Sequence, residues 1–230
     1  ILDDAAIENL AREIAALHLE CARIAPEIPS TSNTVKGDAI HLLDLLSSPF
    51  APRNFDIPAE HVGVLWRHTH EFLLELERIR YDEWPKLPIL VDWNLGNFSV
   101  EPQPDGTFRL FSRWDYDWFR LEPRLLDFYF LSRVSSRTGD RTQWTYSWHT
   151  LTEPRFFRFL AAYHEVYPLT EQDILFLPEV YRFFVLNYVI REGAKFFRPD
   201  LCTQFRRQAA QSYLPSFDQL DVTPLLSVVR

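Results

Sequence analysis

The chain has 230 residues, 47% of them hydrophobic, and a formal net charge of −8 at pH 7. That content supplies a sizeable core and excludes global disorder, and the acidic balance argues against a nucleic-acid binder, which carries a basic stripe. Cys21 and Cys202 stand alone, without metal-ligand spacing, and fit a reducing compartment, so a cytoplasmic location is expected.

No run approaches a membrane span and no signal peptide is visible, so no membrane partner is expected. The chain opens on Ile1 and holds no methionine, and so reads as a fragment or a processed string. Residues 3–24 predict a helix capped by Asp3 or Asp4, with Ile7, Leu10, Ile14, Leu17, Cys21 and Ile24 on one apolar stripe. Pro26 and Pro29 end it, and residues 26–38, rich in Pro, Ser and Thr, read as a mobile loop. A short helix is expected over 39–47. A second long helix is expected over 59–80, with Val62, Leu65, Trp66, Phe72, Leu73, Leu76 and Ile79 inward.

Pro85 and Pro88 lead into the stretch that organises the chain, Ile89 to Asp115. An apolar run delivers Asp92 into a short loop. Asn97 opens a second run, and a third run ends in Asp115. The step Asp105-Gly106 predicts a hairpin between 97–101 and 107–112. Beyond it, helices are expected over 124–134, 154–166 and from Thr170 to Phe197, with a break at Pro178, and then over 203–213 before an extended tail. The count is about six helices and three short strands, an α+β chain that is mostly α-helical.

Taken alone, Asp92 reads first as a turn-former whose carboxylate bonds the local backbone. Its surroundings add a second reading. A carboxylate, an amide and a second carboxylate, each at the end of a probable strand, are the groups that phosphoryl transfer by the kinase route uses. Hard oxygen ligands in a site open to phosphate are what Mg²⁺ requires.

These residues also carry a resemblance. Val91-Asp92-Trp93-Asn94-Leu95-Gly96-Asn97-Phe98 resembles the His-Gly-Asp-x-x-x-x-Asn loop of the aminoglycoside phosphotransferase and choline kinase-like superfamily, with Leu90-Val91 in place of His-Gly. Trp114-Asp115-Tyr116-Asp117 is similar to that family's Ile-Asp-Trp-Glu segment, and Glu122-Pro123-Arg124-Leu125-Leu126-Asp127-Phe128 to the Pro-containing stretch that follows it. Leu10–His18 and Tyr163–Tyr188 resemble helices of the same C-terminal lobe, so the similarity covers about residues 5 to 200. The resemblance implies a protein-kinase-like C-terminal lobe over 1–230, with a small β-hairpin insert carrying the catalytic loop. Within it fall a loop-rich insert at 26–58, a catalytic and metal-binding segment at 88–128, and a helical substrate-side subdomain at 140–215. It implies Asp92 as catalytic base and Asn97 and Asp115 as Mg²⁺ ligands, with Asp117 a further candidate for metal or substrate. It also implies Asp127 as a structural residue capping its helix. The cofactors implied are ATP and Mg²⁺. The partner is a small-molecule hydroxyl substrate: an aminoglycoside, a choline-like amine, an amino-alcohol or a sugar. Nothing before Asp92 reads as the family's N-terminal nucleotide lobe, and Lys36 falls in the Pro/Ser/Thr loop.

Trp118 either holds a cationic part of the substrate through its ring face or packs in the core. For Phe128 and Tyr129 core packing is the reading. His61, His68 and His70 lack the i,i+3 or i,i+4 spacing of a metal pair. Arg155, Arg158, Arg191 and Arg198 read as solvated faces or structural pairs. Two alternatives to an ATP- and Mg²⁺-dependent small-molecule kinase stay open. One is a catalytically inactive kinase-like scaffold. The other is a helical interaction domain in which Asn97 and Asp115 lie far apart.

Overall fold

The computed structural model describes residues 2–29, 32–137 and 146–230. Helix α1, Asp4–Ile24, follows directly from the sequence pattern: Asp3 caps it by accepting from the Ala6 N–H, and Ile7, Leu10, Ala11, Ile14 and Ala15 are buried. The far end of the expected stripe leaves the core, with Ile24 exposed. Helix α1 lies against α6, Pro154–Val166, and also touches the strands β1, Leu87–Ile89, and β3, Phe108–Arg113.

The region read as a mobile loop is shorter than expected, and residues 30 and 31 within it lie outside the described residues. Helix α2, Val35–Ser47, begins four residues earlier than the sequence suggests, because the Thr34 hydroxyl caps the Gly37 N–H. Lys36 therefore sits on a helix, paired with Glu77 at 2.6 Å and Asp82 at 2.7 Å. A further turn, α3, spans Ala51–Phe55, so the expected loop-rich insert is largely helical. Helix α2 packs on α4, Ala59–Arg78, whose Val62, Leu65, Phe72 and Leu76 point inward. Trp66, expected inward, is exposed and rests its ring on His70, with its Nε1–H donating to Ser47 Oγ at 3.0 Å.

Among the described residues four strands form, one more than expected, in two antiparallel pairs. Strand β2, Phe98–Pro102, pairs with β3 across the expected hairpin, with a register irregularity between Ser99 and Val100. Gly106 takes a φ of +85°, the conformation that the turn requires. The second pair joins β1 to β4, Arg120–Glu122. It brackets the stretch 90–119, so both ends of the candidate site return to one place.

Beyond β4 come a 3-10 turn, Arg124–Asp127, and α5, Phe128–Ser135. Helix α7, Glu171–Phe184, opens on a capping box between Thr170 and Asp173. Pro178 does not break it. The lost hydrogen bond costs about 3 kcal/mol, and burial of Ile174, Phe176, Leu177, Val180 and Tyr181 offsets it. The helix runs on into a π-turn, Val185–Arg191, and a short helix α8, Gly193–Phe196. Helix α9, Pro199–Gln208, leads through a second π-turn into the last turns. The tail is not extended: Thr223–Val228 is a 3-10 turn with Leu225 and Leu226 buried. The architecture is α+β and mostly helical, and among the described residues no helix is long and apolar enough to cross a membrane.

Candidate functional site

Strand β1 ends at Ile89 and the chain turns sharply. The Asp92 N–H donates to Leu90 O at 2.7 Å, with Val91 between them at φ +60°. A β-branched residue in that region carries a strain of about 1–2 kcal/mol. Glycine would adopt it freely, and this is the position where the kinase-like loop has Gly. The Val91 side chain is buried, which recovers part of the strain.

Asp127 holds the turn in place. Its Oδ1 accepts the backbone N–H of Val91 at 2.6 Å and of Leu90 at 3.2 Å. Its Oδ2 accepts the Trp93 indole N–H at 2.7 Å and His18 Nε2 at 2.9 Å. The other nitrogen of His18 meets the Tyr163 hydroxyl at 2.7 Å. Asp127, His18 and Tyr163 are all buried. The expected helix cap is absent, for Asp127 makes no side-chain bond to its own helix. Its structural role lies elsewhere, as the acceptor that satisfies four donors and fixes the loop carrying Asp92.

Asp92 projects into a cavity of about 240 Å³ that Asn94, Asp115, Asp117, Trp118 and Tyr188 also line. Burial pushes the Asp92 pKa up, opposed by the Asn94 backbone N–H and by the charge of Arg113. The Asn94 amide nitrogen bonds Asp92 Oδ1 at 2.6 Å. Asp115 stands at φ +66°, a conformation that Asp tolerates. Its carboxylate accepts no hydrogen bond from the described residues, and neither does that of Asp117.

Asn97 does not line the cavity. Its backbone carbonyl accepts from the Trp114 N–H at 3.0 Å, and its side-chain amide approaches Asp92 O at 3.5 Å. One side chain gathers all three segments. Arg113 Nη2 donates to Asp92 O at 2.5 Å, and Nη1 donates to Asn97 O at 3.2 Å, to Asp115 O at 3.0 Å and to Trp114 O. Burial pulls the Arg113 pKa down. Its guanidinium also lies 5.3 Å from the Trp93 ring centroid. Thus the backbone carbonyls of Asp92, Asn97 and Asp115 meet around one guanidinium, but of the three expected side chains only Asp92 and Asp115 share the cavity, because the Asn97 amide turns to the Asp92 backbone. A domain holding Asn97 and Asp115 far apart is ruled out.

Trp118 is enclosed by rings. Tyr188 stacks on it at 4.3 Å between centroids, and Phe130, Phe184 and Phe196 lie within 6.0 Å. It is both a core residue and a wall of the cavity. Phe128 and Tyr129 are buried as expected. The four arginines read as solvated or paired are all paired: Arg155 and Arg158 with Asp4, Arg191 with Asp38, and Arg198 with Asp200.

Sequence spacing missed Arg113, Asn94 and the His18–Tyr163 support of Asp127. The only trace of the last was a histidine on the apolar stripe of α1. Spacing also passed over His68. It meets Glu71 and Asp218, the one group among the described residues with three ligand-type side chains within 4.8 Å. Arg67 already occupies the centre, 2.8 Å from Glu71, 3.1 Å from Asp218 and 2.9 Å from His68 Nε2, with Arg182 3.6 Å from Glu71. Burial and these two arginines push the His68 pKa down to about 4. The cluster is an ion-pair node.

The 140–215 subdomain begins with residues 140–145, which lie outside the described residues. No protein-family model matches the chain, and comparison with curated proteins gives no match.

Proposed function

We propose that the chain is the C-terminal lobe of a kinase-like phosphotransferase that moves the γ-phosphoryl group of ATP to a hydroxyl of a small molecule. The observation that carries this reading is the cavity shared by Asp92 and Asp115, with Asn97 tied to the Asp92 loop through Arg113. Asp92, which lines that cavity, would accept the proton of an entering hydroxyl. Its raised pKa makes it a better base than an exposed carboxylate. Asn94 orients that carboxylate through Oδ1.

The residues present fit Mg²⁺. The Asp115 carboxylate lines the cavity and has no competing donor among the described residues, and the Asn97 amide, outside the cavity lining, would supply a second hard oxygen only after turning towards it. When bound, Mg²⁺ would neutralise phosphate charge. Arg113 contributes a fixed positive charge beside the same loop and holds the two segments in register. Asp117 and Trp118 form the acceptor side of the cavity. Catalysis on this reading is positioning and charge stabilisation.

The test is ATP-dependent phosphorylation of a panel of small alcohols by the full-length protein. Asp92→Asn keeps the size and the Asn94 contact but removes the base, and the expected loss in kcat is about 10²–10⁴-fold. Full retained activity in Asp92→Asn overturns the assignment. An inactive scaffold is the second reading, favoured by Val91 standing strained where the family has Gly. It predicts no transfer to any alcohol and no nucleotide-dependent rise in Tm.

A further inference from the structure

A larger pocket of about 630 Å³ lies beside the Asp92 cavity and shares Asp117, Trp118, Tyr188 and Phe196 with it. It sits where α2, β4 and the π-turn meet. Its charged groups form a chain. Asp38, only 2% exposed, receives Arg120 on one oxygen and Arg191 on the other at 2.7 Å. Arg191 also pairs with Glu192 at 3.0 Å, and its Nε donates to Asn187 Oδ1 at 2.8 Å. Lys195 pairs with Glu192. With Asp117, which also lines the pocket, the three cations Arg120, Arg191 and Lys195 face three carboxylates, Asp38, Glu192 and Asp117, and the charges balance.

Asp38 Oδ1 has the Arg191 ion pair but no hydrogen bond, and three donors nearby are unpaired. Arg120 Nη1, Asn187 Nδ2 and the Tyr188 hydroxyl have no hydrogen-bond partner among the described residues. These residues are 8%, 3% and 5% exposed, and all three line the pocket. Burial pushes the Tyr188 pKa up to about 12, so the hydroxyl keeps its proton. Leaving a buried donor unpaired is unfavourable, because the desolvation it suffers is not recovered. Three buried donors that line one pocket call for an oxygen acceptor from outside the fold, and a carboxylate offers two.

We propose that this pocket binds a carboxylate of the acceptor substrate, so that the substrate is a hydroxy acid with its hydroxyl at Asp92 and its carboxylate at Arg120, Asn187 and Tyr188. The hydroxyl half rests on the phosphotransfer reading. The carboxylate half rests on the pocket alone, and a binding measurement reads it without catalysis. This assignment departs from a purely cationic acceptor. Asp117, where the two cavities meet, could still receive an amine on the same molecule.

The experiment uses glycerate and glycerol, which differ in a carboxylate against a hydroxymethyl, titrated into the full-length protein at matched ionic strength and followed by thermal shift and calorimetry. Glycerate raises Tm and glycerol does not. Tyr188→Phe removes one donor and keeps the ring on Trp118. Asn187→Asp keeps the oxygen that holds Arg191 and turns the donor into an anion. Asn187→Asp weakens glycerate binding at least tenfold and Tyr188→Phe weakens it severalfold. Tm without ligand is unchanged or higher in Tyr188→Phe, where a structural hydroxyl would lower it.

Equal response to glycerate and glycerol, or unchanged glycerate affinity in both variants, overturns the proposal. Asp92→Asn separates the two claims: it keeps the glycerate shift while losing transfer. Transfer to neutral alcohols with no glycerate binding would defeat the carboxylate pocket and leave the phosphotransfer reading standing.

Discussion

Two buried polar clusters flank the candidate site, and they differ in completeness. Around Asp127, two carboxylate oxygens receive four donors from Leu90, Val91, Trp93 and His18, and Tyr163 closes the chain. Around Asp38, the carboxylate is shared by Arg120 and Arg191, and three donors beside it go unpaired among the described residues. A buried network with every partner supplied from within the fold rigidifies; one with unpaired donors carries a free-energy penalty that a ligand can relieve. The first cluster is architecture and fixes where Asp92 stands. The second is incomplete as protein, and it adjoins the same cavity.

The largest test of that contrast is Asp127→Ala. It leaves four donors unsatisfied and releases the constraint on the strained Val91 turn. The expected loss of stability is about 3–5 kcal/mol by urea denaturation, with loss of any Asp92-dependent activity. A loss under about 1 kcal/mol would mean that the first cluster is not a scaffold.

The second test is pH. Glu122 on β4 lies two residues from Arg120, is fully buried, and has its pKa pushed up to about 8 by burial. Its carboxyl takes the Val35 N–H at 2.7 Å and the Tyr81 hydroxyl. An ordinary Glu titrates near 4.3 when unfolded. Between that pH and about 8 the folded state therefore holds a proton that the unfolded state has released. Stability falls as pH rises through this window, by about 1.4 kcal/mol per unit. Glu122→Gln flattens that slope in denaturation curves taken from pH 5 to pH 8. An unchanged slope would show that the group is ionised in the fold.

The smallest effect is the sharpest comparison, because one chemical change carries two signs. Tyr163→Phe removes the hydroxyl on His18 and should cost about 1 kcal/mol. Tyr188→Phe removes a hydroxyl with no partner among the described residues and should cost nothing or stabilise by up to about 1 kcal/mol. Equal destabilisation of both variants would erase the distinction between the clusters.

The parts of the fold legible in the sequence are those governed by neighbours along the chain. Helix α1 was visible in its period and its Asp3 cap, and the β2–β3 hairpin in Asp105-Gly106. What the sequence hid depends on distant partners. Pairing of β1 with β4 joins two three-residue runs across a gap of thirty residues, too short for periodicity to register. Asp127 looked like a helix cap because its donors lie on α1 and in the Asp92 loop. Pro178 predicted a break because local propensity cannot see the burial that holds α7 together.

The site follows the same rule. Asp92, Asn97 and Asp115 stood out by type and spacing. Arg113, which the fold uses to join them, is one of 21 arginines and had nothing local to mark it. The Asp38 cluster needed α2, β4 and the π-turn to be assembled before its unpaired donors existed at all.

The most direct measurement of the central claim is binding of Mn²⁺ with ATP to the full-length protein, followed by the relaxation of water protons, in the wild type and in Asp115→Asn, Asn97→Ala and Asp92→Asn. One nucleotide-dependent Mn²⁺ site is expected, lost or weakened at least tenfold in Asp115→Asn and Asn97→Ala. Asp92→Asn should retain it. Equal Mn²⁺ binding in all four proteins, or none in the wild type, would contradict a metal-assisted phosphotransfer centre at Asp92, Asn97 and Asp115.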